Sequence, residues 1–318
     1  MSRVPGAIAR RLALPLIAAP MLRVSGPDLV VAACNAGVIG AFPTKNARTA
    51  AELDAWLTDI RDRQGPAAAP VCPNLIMRDA RLAEDLAVIA RHRVEMVITS
   101  VGSPAPAIAA LHDAGALVLA DVASLRHAER AIVAGADGLI LLTAGAGGQT
   151  GWLNPLAFVR AVRERFGGVI VLAGGVSDGR ALAAAITLGC DLAYMGTRFI
   201  ATRESLASDA YRAMLVASSM DDVLLTSAIT GLPANMLAPS ITAAGLDPRR
   251  LDEEISEARA RERFGPGAEG PRRWSDIWSA GHSVSGVRAV GAVDELVAQT
   301  RAEFRAAVAE ANFTLAGV

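Results

Sequence analysis

The stretch Gly-Leu-Ile-Leu-Leu-Thr-Ala-Gly-Ala-Gly-Gly-Gln-Thr-Gly-Trp-Leu-Asn, residues 138–154, holds the pattern that decides the fold. A short apolar run, Gly138–Ala144, breaks into a loop with four glycines in seven residues (Gly145, Gly147, Gly148 and Gly151), and Asn154-Pro155 then opens an amphipathic stretch. This is a strand, a loop and a helix in succession. A backbone stripped of side chains can approach a flat or anionic ligand closely and offer its N–H groups as donors. Gln149 is the one amide in that loop, and it cannot accept a proton as a base would.

Working outward, the same unit repeats. Apolar runs predict strands at Leu14–Met21, Val38–Pro43, Pro70–Met77, Glu95–Gly102, Leu117–Ala123, Gly138–Ala144, Gly168–Gly174 and Leu192–Ile200. Between them, amphipathic spacing predicts helices at Gly26–Asn35, Thr49–Gln64, Asp79–Arg93, Ala105–Ala114, Leu125–Ala134, Pro155–Phe166 and Gly179–Leu188. Eight strands, each but the last followed directly by a helix, predict an α/β fold, a closed (β/α)8 TIM barrel. The last helix is delayed to Val293–Asn312. The expected division is a barrel from 1–200 and 293–318, with 201–292 as a mostly helical cap inserted before the final helix. Within the cap, Ala207–Ser219 and the charged stretch Arg249–Arg263 read as helices, and Val223–Thr226 as a short strand. A cap over the mouth would exclude water from a site there.

Composition narrows the function classes. The 318 residues are 52% hydrophobic and carry a formal net charge of −1, so nothing favours nucleic acid or an anionic membrane surface as partner. Cys34, Cys72 and Cys190 are too scattered for a zinc site and read as reduced, buried thiols of a cytoplasmic protein; no metal site is expected. Arg3, Arg10 and Arg11 before Leu12–Met21 have the look of a targeting segment, but Pro15 and Pro20 interrupt the run, which reads better as the first strand.

In such barrels the chemistry lies at the C-terminal ends of the strands. The residues falling there are Ala19-Pro20-Met21, Asn74, Asp121, the glycine loop, Ala173-Gly174-Gly175 and Tyr194-Met195-Gly196-Thr197. Gly174, Gly175, Gly196 and Thr197 come from the last two strands, where a phosphate site is common, though ordinary tight turns would use the same residues. Asn74 could equally cap its own backbone, and Trp152 could be a pocket wall or a packing residue. Tyr194 reads as core, Asp178 as a helix cap, and His92, His112 and His127 as structural or solvated. Arg272-Arg273-Trp274 reads as a solvated loop.

Ala19-Pro20-Met21, Pro73-Asn74-Leu75, Ala146–Gly151, Leu172–Val176, Met195–Phe199 and Trp278-Ser279-Ala280-Gly281 together resemble the nitronate monooxygenase family, once called 2-nitropropane dioxygenases. The resemblance spans essentially the whole chain in order. It implies FMN as cofactor, with Ala19, Pro20 and Met21 against the flavin ring, Asn74 at its edge and Asp121 nearby. Gly147 and Gly148 would pass close to the ring or ribityl chain, and Gly174, Gly175, Gly196 and Thr197 would hold the phosphate. It further implies a small-molecule substrate of nitronate type and O2 or another electron acceptor; a homo-oligomer stays open. Two positions depart from the family pattern, and Asp121, at a strand end where a lysine can stand in the family, is a candidate third. Gln149 stands where a catalytic histidine is usual, and His282, in Trp-Ser-Ala-Gly-His, stands where glutamine is common. The expectation is that both are catalytic and face one cavity, with independent drift as the alternative. A preformed nitronate is already deprotonated and would not need the missing base. FMN-dependent NAD(P)H:quinone or enoyl-thioester reductases share the appearance, and a flavin-binding protein without turnover is a third reading. Barrels that oxidise purine nucleotides use a cysteine in this loop, and none lies between Gly138 and Asn154.

Overall fold

A computed structural model describes residues 2–315; Met1 and residues 316–318 of the expected barrel range lie outside it. Eight parallel strands close into a barrel: β1 (Leu16–Ala18), β2 (Ile39–Pro43), β3 (Val71–Ile76), β4 (Met96–Ser100), β5 (Leu117–Val122), β6 (Gly138–Leu142), β8 (Val169–Ala173) and β9 (Leu192–Met195). The closing pair is β1 with β9, Ile17 opposite Tyr194. Parallel strands covered on both faces read as unbroken apolar runs, and Val169–Ala173 is buried at every position. Alternate side chains then take opposite destinations. Ile17, Ile39, Met96, Ile98, Leu119, Ile140, Val171 and Leu192 fill the barrel. Leu16, Leu139, Leu141 and Ile170 pack outward under the helices.

Four of the barrel helices begin where the sequence supplies a side-chain cap. The Thr49, Ser124, Asn154 and Asp178 side chains accept from backbone N–H groups in the first turns of the helices they precede. The delayed last helix, Val293–Leu315, packs beside the helix Gly179–Leu188. A Cβ on Gly179 would lie 2.1 Å from the Thr300 carbonyl oxygen, so only glycine lets the two approach.

Three differences from expectation have local causes. The first strand shortens from Leu14–Met21 to Leu16–Ala18, between Pro15 and Pro20, which have no N–H to donate. The eighth barrel strand ends at Met195 instead of running to Ile200: Gly196 turns the chain, and the Phe199 N–H donates back to the Gly196 carbonyl at 2.8 Å. The charged stretch is helical only over Glu257–Phe264. Before it, the Asp247 and Asp252 carboxylates accept from the N–H groups of Arg249 (2.9 Å) and Glu254 (3.2 Å), a local alternative to helix.

The segment 201–292 is also less helical than expected. Besides the helices Asp209–Ala217, Ala238–Ala243 and Glu257–Phe264 it contains β10 (Val223–Thr226) and β11 (Ala234–Leu237). These join β7 (Gly148–Gln149) in a three-stranded antiparallel sheet. The glycine loop is thereby an edge of the inserted segment's own sheet.

Candidate active site

The C-terminal ends of the barrel strands and the inserted segment enclose an open cavity of about 2210 Å³. Its lining includes Ala19, Pro20, Met21, Asn74, Asp121, Gly147, Gly148, Gln149, Gly174, Gly175, Gly196 and Thr197. A pocket for one small organic ligand is typically about 300–1,000 Å³, so this one has room for a cofactor and a substrate together. Residues from β3, β5 and β9 and from the segments after β1, β6 and β8 reach it because a parallel barrel brings all its strand ends to one face.

The glycine loop is fixed from three sides. Thr150 donates its hydroxyl to the Thr143 carbonyl at 2.9 Å, the Asn235 amide donates to the Ala146 carbonyl at 2.7 Å, and the His282 N–H donates to the Gly145 carbonyl at 2.9 Å. Gly147 runs so close to residues 280–281 that a Cβ there would lie 2.7 Å from the Gly281 nitrogen. Gly148 has φ +68 and lies beside the Trp274 ring. Gly151 is tighter still, since a Cβ there would lie 2.1 Å from the Leu142 carbonyl oxygen.

Gly175 has φ +75 and open space where a Cβ would stand. Gly196 precedes the short helical turn Thr197–Ile200. The Thr197 hydroxyl accepts from the Gly281 N–H at 3.0 Å, which leaves its own proton free to donate into the cavity.

The cavity floor is polar and unsatisfied within the protein. Asn74 Oδ1, Asp121 Oδ1 and the Tyr194 hydroxyl are enclosed and have no hydrogen-bond partner among the described residues. Buried polar groups are nearly always paired, so three such orphans at one cavity mark a place where something else supplies the partners. Burial pushes the Asp121 carboxyl up to about 7. Burial, with Asp121 and Cys72 adding to it, raises the Tyr194 phenol well above its usual value. Tyr194, expected as core, is both packed in the barrel and part of this floor.

The structure does not bring His282 into the cavity. Its backbone belongs to the loop that supports Gly145, but its side chain is exposed and packs against the outer side of Gly145, with Nδ1 2.7 Å from where a Cβ on that glycine would be. Gln149 lines the cavity; His282 does not. His92 bonds Asp54 at 2.8 Å and His112 bonds Asp137 at 2.9 Å, both outside the cavity as expected, whereas His127, exposed on its helix and expected away from the strand ends, is among the cavity's lining residues. Asp178 accepts from the Ala181 N–H at 2.7 Å as a helix cap. Trp152 lines the outer cavity while remaining 76% exposed.

Arg273 and Trp274, expected in a solvated loop, are instead wall residues of the cavity. The pairing of β11 with Gln149 draws the segment in, and no local sequence pattern reports a contact set by so distant a strand. The positive φ of Trp274 (+66) has no sequence signature either, since tryptophan rarely adopts it.

The fold and its cavity define a (β/α)8 barrel protein with a built ligand site at the strand ends. The nitronate monooxygenase family model matches residues 80–302. A nitronate monooxygenase of Paraburkholderia phytofirmans is 30% identical over 92% of this chain and 93% of that one. The chain belongs to the nitronate monooxygenase family, and it is an oxidoreductase. It is also 29% identical to an octahydro-indene-carboxyl-CoA dehydrogenase of Mycobacterium tuberculosis, over 70% of this chain and 62% of that one. Among solved structures, nitroalkane oxidase from Streptomyces ansochromogenes superposes with TM-score 0.78 at 26% identity, covering 96% of this chain and 100% of that one. FabK from Thermotoga maritima superposes with TM-score 0.79 at 23% identity, covering 99% of each, a likeness of fold.

Proposed function

We propose that the chain is an FMN-dependent oxidoreductase that takes electrons from a small, preformed nitronate and passes them to O2. The observation carrying this reading is Gln149: the loop facing the cavity presents an amide, which can donate to an oxyanion but cannot remove a carbon-bound proton. A substrate that arrives deprotonated suits such a wall.

The residues fit a flavin mononucleotide. Gly174, Gly175, Gly196 and Thr197 offer backbone N–H groups and a hydroxyl to a terminal phosphate, with space at Gly175 that a side chain would fill. Ala19, Pro20 and Met21 give an apolar strip for the ring, and Asn74, Asp121 and Tyr194 give unpartnered polar atoms for its edge. Bound there, the flavin would supply the electron transfer that no side chain can. The chain's own contribution is to hold it, to keep Asp121 able to carry a proton near neutral pH, and to orient the substrate's negative end with Gln149. The inserted segment covers the cavity on the Gln149 side and restricts water there.

A second reading, reduction of an enoyl thioester or quinone by NAD(P)H, is favoured by one observation: the cavity exceeds what flavin and a small nitronate would fill. Heat-released cofactor identified by mass, together with O2 uptake on propionate-3-nitronate, tests the first reading. FMN with nitronate-dependent uptake supports it; FAD, or no uptake, rejects it.

A further inference from the structure

We propose that Arg273 anchors the negative charge of the substrate, and that the group it takes is a planar oxyanion, a nitronate or a carboxylate. The inference deepens the functional reading above and rests on it for the substrate class.

Arg273 lines the cavity and is half-buried. Among the described residues it has no carboxylate within ion-pair distance. Its guanidinium makes one long hydrogen bond, Nη1 to the Thr230 carbonyl at 3.4 Å. Glu257, the acid whose charge acts on it, lies 3.9 Å from the Arg78 guanidinium. A partly desolvated cation without a partner is costly unless a ligand supplies the opposite charge. Loss of water and the neighbouring Arg261 both push its pKa down, yet a guanidinium keeps its proton at any physiological pH.

The position of Arg273 is built, not incidental. Its N–H donates to the Phe264 carbonyl and that of Trp274 to the Ile277 carbonyl, both at 2.9 Å, and Trp274 is held at φ +66. A bulky residue kept at positive φ is a local strain that the surroundings must impose. That turn sets Arg273 and Trp274 side by side on the cavity wall, Trp274 against Gly148. The carbonyl that Arg273 contacts belongs to Thr230; three residues on, the Pro233 carbonyl accepts from the Thr150 N–H at 3.2 Å, and Ala234 pairs with Gln149. One short loop therefore joins the cation to the amide. A guanidinium fork and a carboxamide N–H2 on one wall form a receptor for a flat anion with two oxygens.

The test uses flavin-loaded wild type, Arg273→Gln and Arg273→Lys, with retained flavin absorbance as the check on folding. Nitrate and propionate serve as unreactive probes, titrated by the change in flavin absorbance, and KM and kcat are measured on ethyl nitronate and propionate-3-nitronate. The proposal expects wild type to bind at least one probe, Arg273→Gln to weaken that binding at least tenfold, and KM to rise with kcat changed less than about threefold. A KM rise on both nitronates places the nitronate head on Arg273, and a rise on propionate-3-nitronate alone places the carboxylate there. Unchanged probe affinity in Arg273→Gln, or no probe binding by wild type, overturns it. Should wild type bind a probe through Arg273 but oxidise neither nitronate, the anion site stands and the nitronate reading fails.

Discussion

Gln149 and Ala234 are cross-strand partners, so the amide at the cavity wall is positioned by the inserted segment and not by the barrel alone. The same contact is reinforced one residue along, where the buried Asn235 amide donates to the Ala146 carbonyl at 2.7 Å. Asn235→Ala leaves that carbonyl without its partner, at a cost of about 1–3 kcal/mol. The expected outcome is a lower unfolding midpoint and a raised KM with the cofactor still bound. Thermal unfolding and steady-state kinetics check both; an unchanged KM would mean the inserted segment does not set the loop.

Gly196 separates charge from bulk. A Cβ there would meet only Ala19 and Met21, both at 3.6 Å, and its backbone is not in the left-handed region. Gly196→Ala should keep the fold and the flavin. Gly196→Asp should lower FMN affinity by at least a hundredfold, because two like charges 4 Å apart repel by about 4 kcal/mol at an effective dielectric of 20. Flavin fluorescence titration measures both, and equal retention by the two variants would move the phosphate elsewhere.

Asp121 makes stability depend on pH in a stated direction. Its folded pKa, about 7, lies above the ordinary 3.8, so between those values the folded state holds more protons than the unfolded one. Stability therefore falls as pH rises through that window and levels off above it. Asp121→Asn removes this fall. Between pH 5 and 8 the wild type should lose on the order of 2 kcal/mol relative to the variant, at about 1.4 kcal/mol per pH unit. Denaturant unfolding of both proteins at the two pH values decides it, and parallel curves would show that Asp121 stays ionised.

His282 and Gln149 should behave differently. With its imidazole exposed and away from the cavity, His282→Ala should leave kcat within about twofold. Gln149→Ala should raise KM for a nitronate several-fold, and Gln149→His should confer activity on the neutral nitroalkane, since a positioned base is worth about 10²–10⁴ in rate. Initial rates on matched neutral and deprotonated substrates test the set. A steep loss in His282→Ala would restore the idea that the two positions act together.

The barrel was legible because burial on both faces writes each strand as a continuous apolar run, and because glycine and proline mark its ends. The strand-end residues Asn74, Asp121, Gly175 and Thr197 were legible from the barrel rule once the strands were placed. β7 and β11 were not: a two-residue strand has no period, and Ala234–Leu237 becomes a strand only by pairing with β10 and with Gly148–Gln149. Arg273 and Trp274 were missed for the same reason, since their place in the wall depends on that pairing. His282 was drawn toward the site by its neighbours in sequence, and Ser279, Ala280 and Ser283 do line the cavity, but the His282 ring packs against Gly145 and is exposed.

Anaerobic reduction of the bound flavin separates a nitronate oxidase from a pyridine-nucleotide-dependent reductase. Propionate-3-nitronate, its neutral nitroalkane, NADH and NADPH are each mixed with the oxidised enzyme without O2, and the loss of flavin absorbance is followed. Rapid bleaching by the nitronate is expected, with the neutral nitroalkane and both nucleotides at least a hundredfold slower. Faster bleaching by NADH or NADPH than by the nitronate would contradict the nitronate reading.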